Sequence, residues 1–206
     1  NGALDGLSLS GDRFFYGNPL ASLGSHSRRE WFGTACCPSN IARLIASLGG
    51  YIYGQKSNDI YINLFASSQT QFQLKKNIMQ VEQATNYPWS GLVKLTIHIP
   101  KKEFASVALR IPGWATGKAV PGEMYSFVQD QVELPTIKVN GQAYAYEQNQ
   151  GYAWIKREWK EGDVVEYVLP MQVKKVVART EVKQDKSRYA LQRGKKKRIK
   201  CWTNKW

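Results

Sequence analysis

Three cysteines and two histidines are spread over 206 residues, too few for a disulfide framework of the kind small secreted domains use. Cys36 and Cys37 are neighbours, whose mutual bridge would force a strained ring outside the usual Cα separation, and Cys201 lies near the C-terminus, so unbridged or metal-bound thiols are the better reading. No apolar run approaches the ~20 residues of a membrane span. Residues 1–30 lack the basic-then-apolar layout of a secretory signal. The chain opens at Asn1 without an initiator Met, which suggests a longer parent and leaves the bacterial cytoplasm and periplasm both open as its compartment. There is no G-x-S-x-G, no P-loop, no G-x-G-x-x-G and no H-E-x-x-H, so the familiar hydrolase, nucleotide and zinc-protease signatures are excluded.

Acids are also scarce, 16 against 29 Lys and Arg, giving a formal charge of +13. The excess is not a recognition stripe. The last 13 residues, GKKKRIKCWTNKW, hold six Lys or Arg and no acid, and the remaining basic residues are interspersed among acids and polar residues. That layout describes a solvated tail and argues against nucleic acid as the partner.

What is present is a core-forming composition, 43% hydrophobic with 12% aromatic. The first 35 residues, rich in Gly, Ser and Asn around DRFFYGNP, read as long connections. Ile41, Leu44, Ile45 and Leu48 then recur at helical spacing, with Pro38, Ser39 and Asn40 as start signals and Gly49-Gly50 as a stop. From Tyr51 the period changes to two. YIYGQKSNDIYINLF, LVKLTIHI, SVALRIP, TIKVNGQAYAY, GYAWIKREW and DVVEYVLP are strands or strand pairs between turn residues, and Asn140-Gly141 signals a type I′ hairpin. At least seven short strands imply an antiparallel β-sandwich preceded by loops and one helix.

The chemistry concentrates in WFGTACCPSNIARL. A thiol at a helix N-terminus lies near unpaired backbone N–H groups and the positive end of the dipole, both of which favour thiolate. Thiolate attacks carbon and binds zinc, but a closed zinc site needs four ligands and no ligand spacing links the cysteines to His26 or His98. A buried inert pair, a partial metal site and a nucleophile all remain open on these residues alone. Asp5, Asp12 and Glu30 read as surface or turn carboxylates, His26 as a loop residue, and His98 as a strand residue with a polar partner. Core packing accounts for most tryptophans and tyrosines, with a sugar-stacking surface as the alternative.

Taken in order, NGALDGLSLSGDRFFYGNPL, REWFGTACCPSNIARLIASLGGYIYG, DIYINLF, LRIPGWA, VNGQ, GYAWIKREWKEGDVVEYVLPM and YALQRG resemble glycoside hydrolase family 127, the β-L-arabinofuranosidase family, over about residues 1–194. The resemblance implies a fold that is mainly β, an antiparallel β-sandwich preceded by the end of an (α/α)6 barrel. Residues 1–50 would be the barrel remnant, 51–178 the sandwich, and 179–206 the start of a second β domain ending in an atypical basic tail, as after a frameshift or truncation. It further implies a retaining hydrolase whose nucleophile is a cysteine thiolate held at zinc by three cysteines and a glutamate. Cys36 matches the nucleophile and a zinc ligand, Cys37 a second ligand, and Tyr16 a tyrosine near the sugar. The other zinc ligands and the glutamate acid/base match no position of this chain, so the resemblance implies a fragment, inactive alone, of an enzyme acting on plant-type glycans or arabinofuranosides, without a membrane partner. Surface left bare where the barrel and second sandwich dock implies self-association. The alternative is a non-catalytic β-sandwich accessory or carbohydrate-binding module.

Overall fold

The structure is a computed structural model that describes residues 6–8, 10–17, 26–33, 36–128, 132–194 and 196–198. The basic tail beyond Arg198, with Cys201, lies outside the described residues. The chain divides into two compact units, Asn1–Tyr51 and Ile52–Trp206.

The first unit ends in helix α1 (Cys36–Ser47), followed by the single turn α2 (Gly49–Ile52) at the junction of the units. The helix starts earlier than Pro38-Ser39-Asn40 suggest. Proline is tolerated in a first helical turn because its missing N–H has no intrahelical partner there. The Ser39 hydroxyl and Asn40 amide also turn back, donating to the Cys36 carbonyl at 3.1 and 2.9 Å, instead of capping forward N–H groups. At the other end Gly49-Gly50 is not a stop. Leu48 N–H donates to Ile45 C=O and Tyr51 N–H to Leu48 C=O, so the chain tightens and continues, and strand structure begins at Tyr53.

The second unit is mainly β. One sheet runs, in spatial order, β1 (Tyr53–Lys56), β2 (Asp59–Ile62), β6 (Glu103–Arg110), β11 (Tyr152–Trp159) and β10 (Glu147–Asn149). Facing it is β3 (Ser68–Gln73), β4 (Ile78–Thr85), β5 (Leu92–His98), β12 (Val164–Val168), β8 (Thr136–Val139) and β9 (Gln142–Ala143). All pairings are antiparallel except β2 with β6. The sandwich closes because alternate residues point inward: Ile60 and Ile62, Val107 and Leu109, and Ile155 from one sheet join Val81, Val93, Leu95, Ile97, Val165 and Tyr167 from the other in one core. Each such side chain contributes about 1.5–3 kcal/mol of burial. Trp159 is fully buried with its indole N–H on the Ala105 carbonyl at 3.0 Å, and the Tyr167 hydroxyl donates to the Arg110 carbonyl at 3.2 Å. Gly91 lets β5 approach the chain after β12: a Cβ there would lie 2.1 Å from the Leu169 carbonyl oxygen.

Strands β3 and β4 were not among the sequence-derived strands because glutamines occupy them. The alternation is nonetheless kept, with Phe72, Met79 and Val81 inward and Gln83 beside them. The Gln83 amide nitrogen donates toward the Ala66 and Leu64 carbonyls and the Tyr53 hydroxyl, while its Oε1 is buried without a partner among the described groups. A third sheet orders β15 (Lys196–Arg198), β14 (Ala190–Arg193), β13 (Val173–Ala178) and β7 (Tyr125–Phe127) around Ala119, Phe127 and Val176. The YALQRG segment therefore pairs, through β14, with β13, which in turn pairs with β7.

Candidate active site

The site is built on DRFFYG. Phe14 bridges Leu7 on one side and Arg29 on the other, exchanging two backbone hydrogen bonds of 3.0 Å with Arg29. The connection from Ser8 to Arg13 is a turn: Gly11 takes φ +78°, and Asp12 accepts the Ser8 and Ser10 hydroxyls. Those hydrogen bonds, Ser10's first, hold the Asp12 carboxyl below its ordinary range. Asp12 thus reads as a turn carboxylate, and exposed Glu30 accepts from Arg13 at 3.1 Å. Both agree with the reading of surface or turn carboxylates, and Asp5 lies outside the described residues.

Extended backbone sends successive side chains to opposite faces. On one face the Phe15 ring stacks with His26 at 5.0 Å and lies under the Arg28 guanidinium at 4.4 Å, while His26 Nε2 sits 3.1 Å from the Gly17 carbonyl oxygen. On the other, Phe14 and Tyr16 both pack against Phe32, with centroids at 5.1 and 5.4 Å. That packing directs the Tyr16 hydroxyl to 3.0 Å from the Cys36 sulfur. Cys36 is exposed and is the first residue of α1, where backbone N–H groups lack intrahelical acceptors. A phenolic O–H at this distance can donate to a thiolate and fix the direction of its remaining lone pairs.

The structure therefore brings Tyr16 and Cys36 together across twenty residues of sequence. Cys37 belongs to α1, and its side chain lies outside the described residues. Among the described residues no three His, Cys, Asp or Glu side chains gather where they could hold a metal, so the described donors do not complete a zinc site. His98 is elsewhere, in β5, with Nδ1 2.7 Å from Glu161. Phe32, the support for Tyr16, was not singled out from sequence. The period-two spacing of Phe14 and Tyr16 was the available signal.

Residues 1–50 match the profile described as the β-L-arabinofuranosidase, GH127 catalytic domain, and residues 59–171 match the GH127 middle domain. The chain belongs to glycoside hydrolase family 127. The non-reducing end β-L-arabinofuranosidase of Bifidobacterium longum subsp. longum is 32% identical over 94% of this family 127 chain, which covers 29% of that protein. Among solved structures, a GH127 β-arabinofuranosidase aligns at 43% identity with a TM-score of 0.85, over 93% of this chain and 30% of that one. The GH127 β-L-arabinofuranosidase Ara127N-Se of Geobacillus stearothermophilus T6 aligns at 35% identity with a TM-score of 0.77, over 94% and 30%. The family 127 chain thus spans about three tenths of the length of the relatives it matches.

Proposed function

We propose that this chain carries the nucleophile of a retaining β-L-arabinofuranosidase-type hydrolase, with Cys36 as that nucleophile and Tyr16 as the group that orients it and contacts the sugar. The observation that supports the reading most is the 3.0 Å approach of the Tyr16 hydroxyl to an exposed sulfur at the start of α1, within the segment matched by the catalytic-domain profile.

In the first step the Cys36 thiolate attacks the anomeric carbon. The C–S bond forms as the glycosidic C–O bond breaks, and the leaving oxygen takes its proton from an acid that no residue of this chain is matched to. In the second, water displaces the sulfur from the opposite face with loss of a proton, and two inversions give retention. Tyr16 holds the sulfur in one direction through the first step and meets it again as the thiolate departs. A zinc bound by Cys36 and Cys37 together with donors beyond the described residues would supply positive charge that keeps the sulfur anionic. The substrate class on this reading is an arabinofuranoside of plant-type glycans.

The test is site-resolved alkylation of the metal-stripped chain by iodoacetamide at pH 7, read by peptide mass mapping. Cys36 is expected to react about tenfold faster than the thiol of glutathione, and Tyr16→Phe to change that rate. Reaction no faster than glutathione would overturn the claim that the helix start and Tyr16 activate Cys36 by themselves.

A further inference from the structure

Among the described residues the three sheets of the second unit have six edge strands, and five of them are blunted. β1 is four residues long and carries Gly54 and Lys56, β7 and β10 have three residues each, β9 has two, and β15 is Lys196, Lys197 and Arg198. Shortness, charge, proline and bulges are the devices that keep an edge from pairing with another chain. β3 has none of them. Its six residues, SQTQFQ, hold no charge, proline or glycine, and they pair with β4 in unbroken register from Ser68 opposite Gln83 to Gln73 opposite Ile78. That register fixes which backbone groups point outward. Leu74 N–H donates to Asn77 C=O at 2.9 Å just beyond the strand, and opposed residues of an antiparallel pair alternate between bonded and non-bonded. Ser68, Thr70 and Phe72 therefore bond β4, while Gln69, Gln71 and Gln73 direct their N–H and C=O groups away from the sheet. The two ends are occupied: the Ser68 hydroxyl lies 2.8 Å from the Tyr53 hydroxyl, and Gln73 C=O accepts from the Gln55 amide at 2.6 Å. Between them the N–H and C=O groups of Gln69 and Gln71 meet no partner among the described residues, and both side chains are exposed.

We propose that β3 pairs with β3 of a second copy of this chain, antiparallel about a two-fold axis at Thr70. The edge is self-complementary in that register. Gln69 faces Gln71 of the second copy and Gln71 faces its Gln69, so every outward N–H meets an outward C=O and the exposed glutamine side chains stand opposite one another. Thr70 falls opposite its own counterpart in the non-bonded position, where side chains approach most closely and threonines suit each other. A second copy is favoured over an unrelated peptide because the edge offers no charge by which to select another sequence, whereas its own sequence satisfies both strands at once. The contact is one strand wide, below the ~1,200 Å² of a stable interface, so the dimer forms reversibly and follows concentration.

The test is sedimentation equilibrium of the 206-residue chain with a reductant present, over about 5 to 500 μM, because so small a contact gives micromolar affinity or weaker. A reversible monomer–dimer equilibrium is expected. Gln71→Pro removes an outward N–H from each copy and leaves the bonds to β4 intact, since proline is accepted where an edge N–H faces solvent; it is expected to weaken the dimer about tenfold or more. Gln69→Lys with Gln71→Lys sets like charges directly opposite and is expected to weaken it similarly. Gln69→Lys with Gln71→Glu sets opposite charges in the same two places and is expected to restore the dimer. Both charge variants alter only exposed side chains, so they report even if Gln71→Pro fails to fold. None of these variants touches the first unit, so the outcome is independent of the Cys36 reading. Three results overturn the proposal: a monomer at every concentration, a dimer that the double lysine variant leaves unchanged, or a lysine–glutamate variant as weak as the double lysine one.

Discussion

Glu103 shows how far a residue's role can depart from its place in the sequence. In KKEF it reads as a turn charge, yet it is buried, 6% exposed, where three turns of the sandwich meet. Its carboxylate accepts from the Lys76 backbone N–H at 3.0 Å, the Asn77 amide at 2.9 Å and the Asn58 amide at 3.3 Å. Burial pushes the carboxyl upward, and the hydrogen bonds from Asn77, Lys76 and Asn58 outweigh it, leaving the group below its ordinary range. A carboxyl depressed in the folded state contributes stability that is present above its unfolded value, about 4.3, and is lost as pH falls through the lower folded one. Glu103→Gln is therefore expected to cost about 2 kcal/mol at pH 7, with a difference that shrinks as pH falls below that unfolded value; urea denaturation at a series of pH values measures this. Composition and periodicity carry no trace of such a junction, because its partners come from turns 26 to 45 residues away. Cys36 stood out for the opposite reason: a cysteine pair just before a run of helical spacing is written locally, whereas its approach to Tyr16 requires the Phe14–Arg29 bridge and the Phe32 ring.

At the scale of elements, the β8–β9 hairpin was readable from two residues. Asn140 and Gly141 take φ +53° and +78°, and Val139 pairs with Gln142, as a two-residue type I′ turn requires. The turn also does something its dipeptide does not announce. Asn140 donates to buried Asp163 at 2.8 Å and accepts from the Val164 N–H at 2.8 Å, tying the hairpin to the start of β12. Asn140→Ala is expected to lower stability by about 2–3 kcal/mol, losing both a left-handed preference and a charge-assisted bond. Asn140→Gly, which restores only the backbone freedom, should recover part of that in the same denaturation assay. Strands with apolar alternation, such as β5 and β11, were equally clear, whereas β3 and β4 were hidden by glutamines and the helix ends by side chains that bond backward.

For the whole molecule, family membership and the β-sandwich stand on the fold and its relatives, and the catalytic reading stands on one contact in the first unit. Its most direct test replaces the corresponding segment of the Geobacillus stearothermophilus relative with this chain and measures hydrolysis of p-nitrophenyl β-L-arabinofuranoside. The folded chimera is expected to turn over, with a loss on the order of 10³-fold or more when Cys36 becomes Ser, and the 206-residue chain alone to show no turnover above background. A folded Cys36→Ser chimera that keeps its activity, or turnover by the chain alone that survives Cys36→Ser, would contradict it.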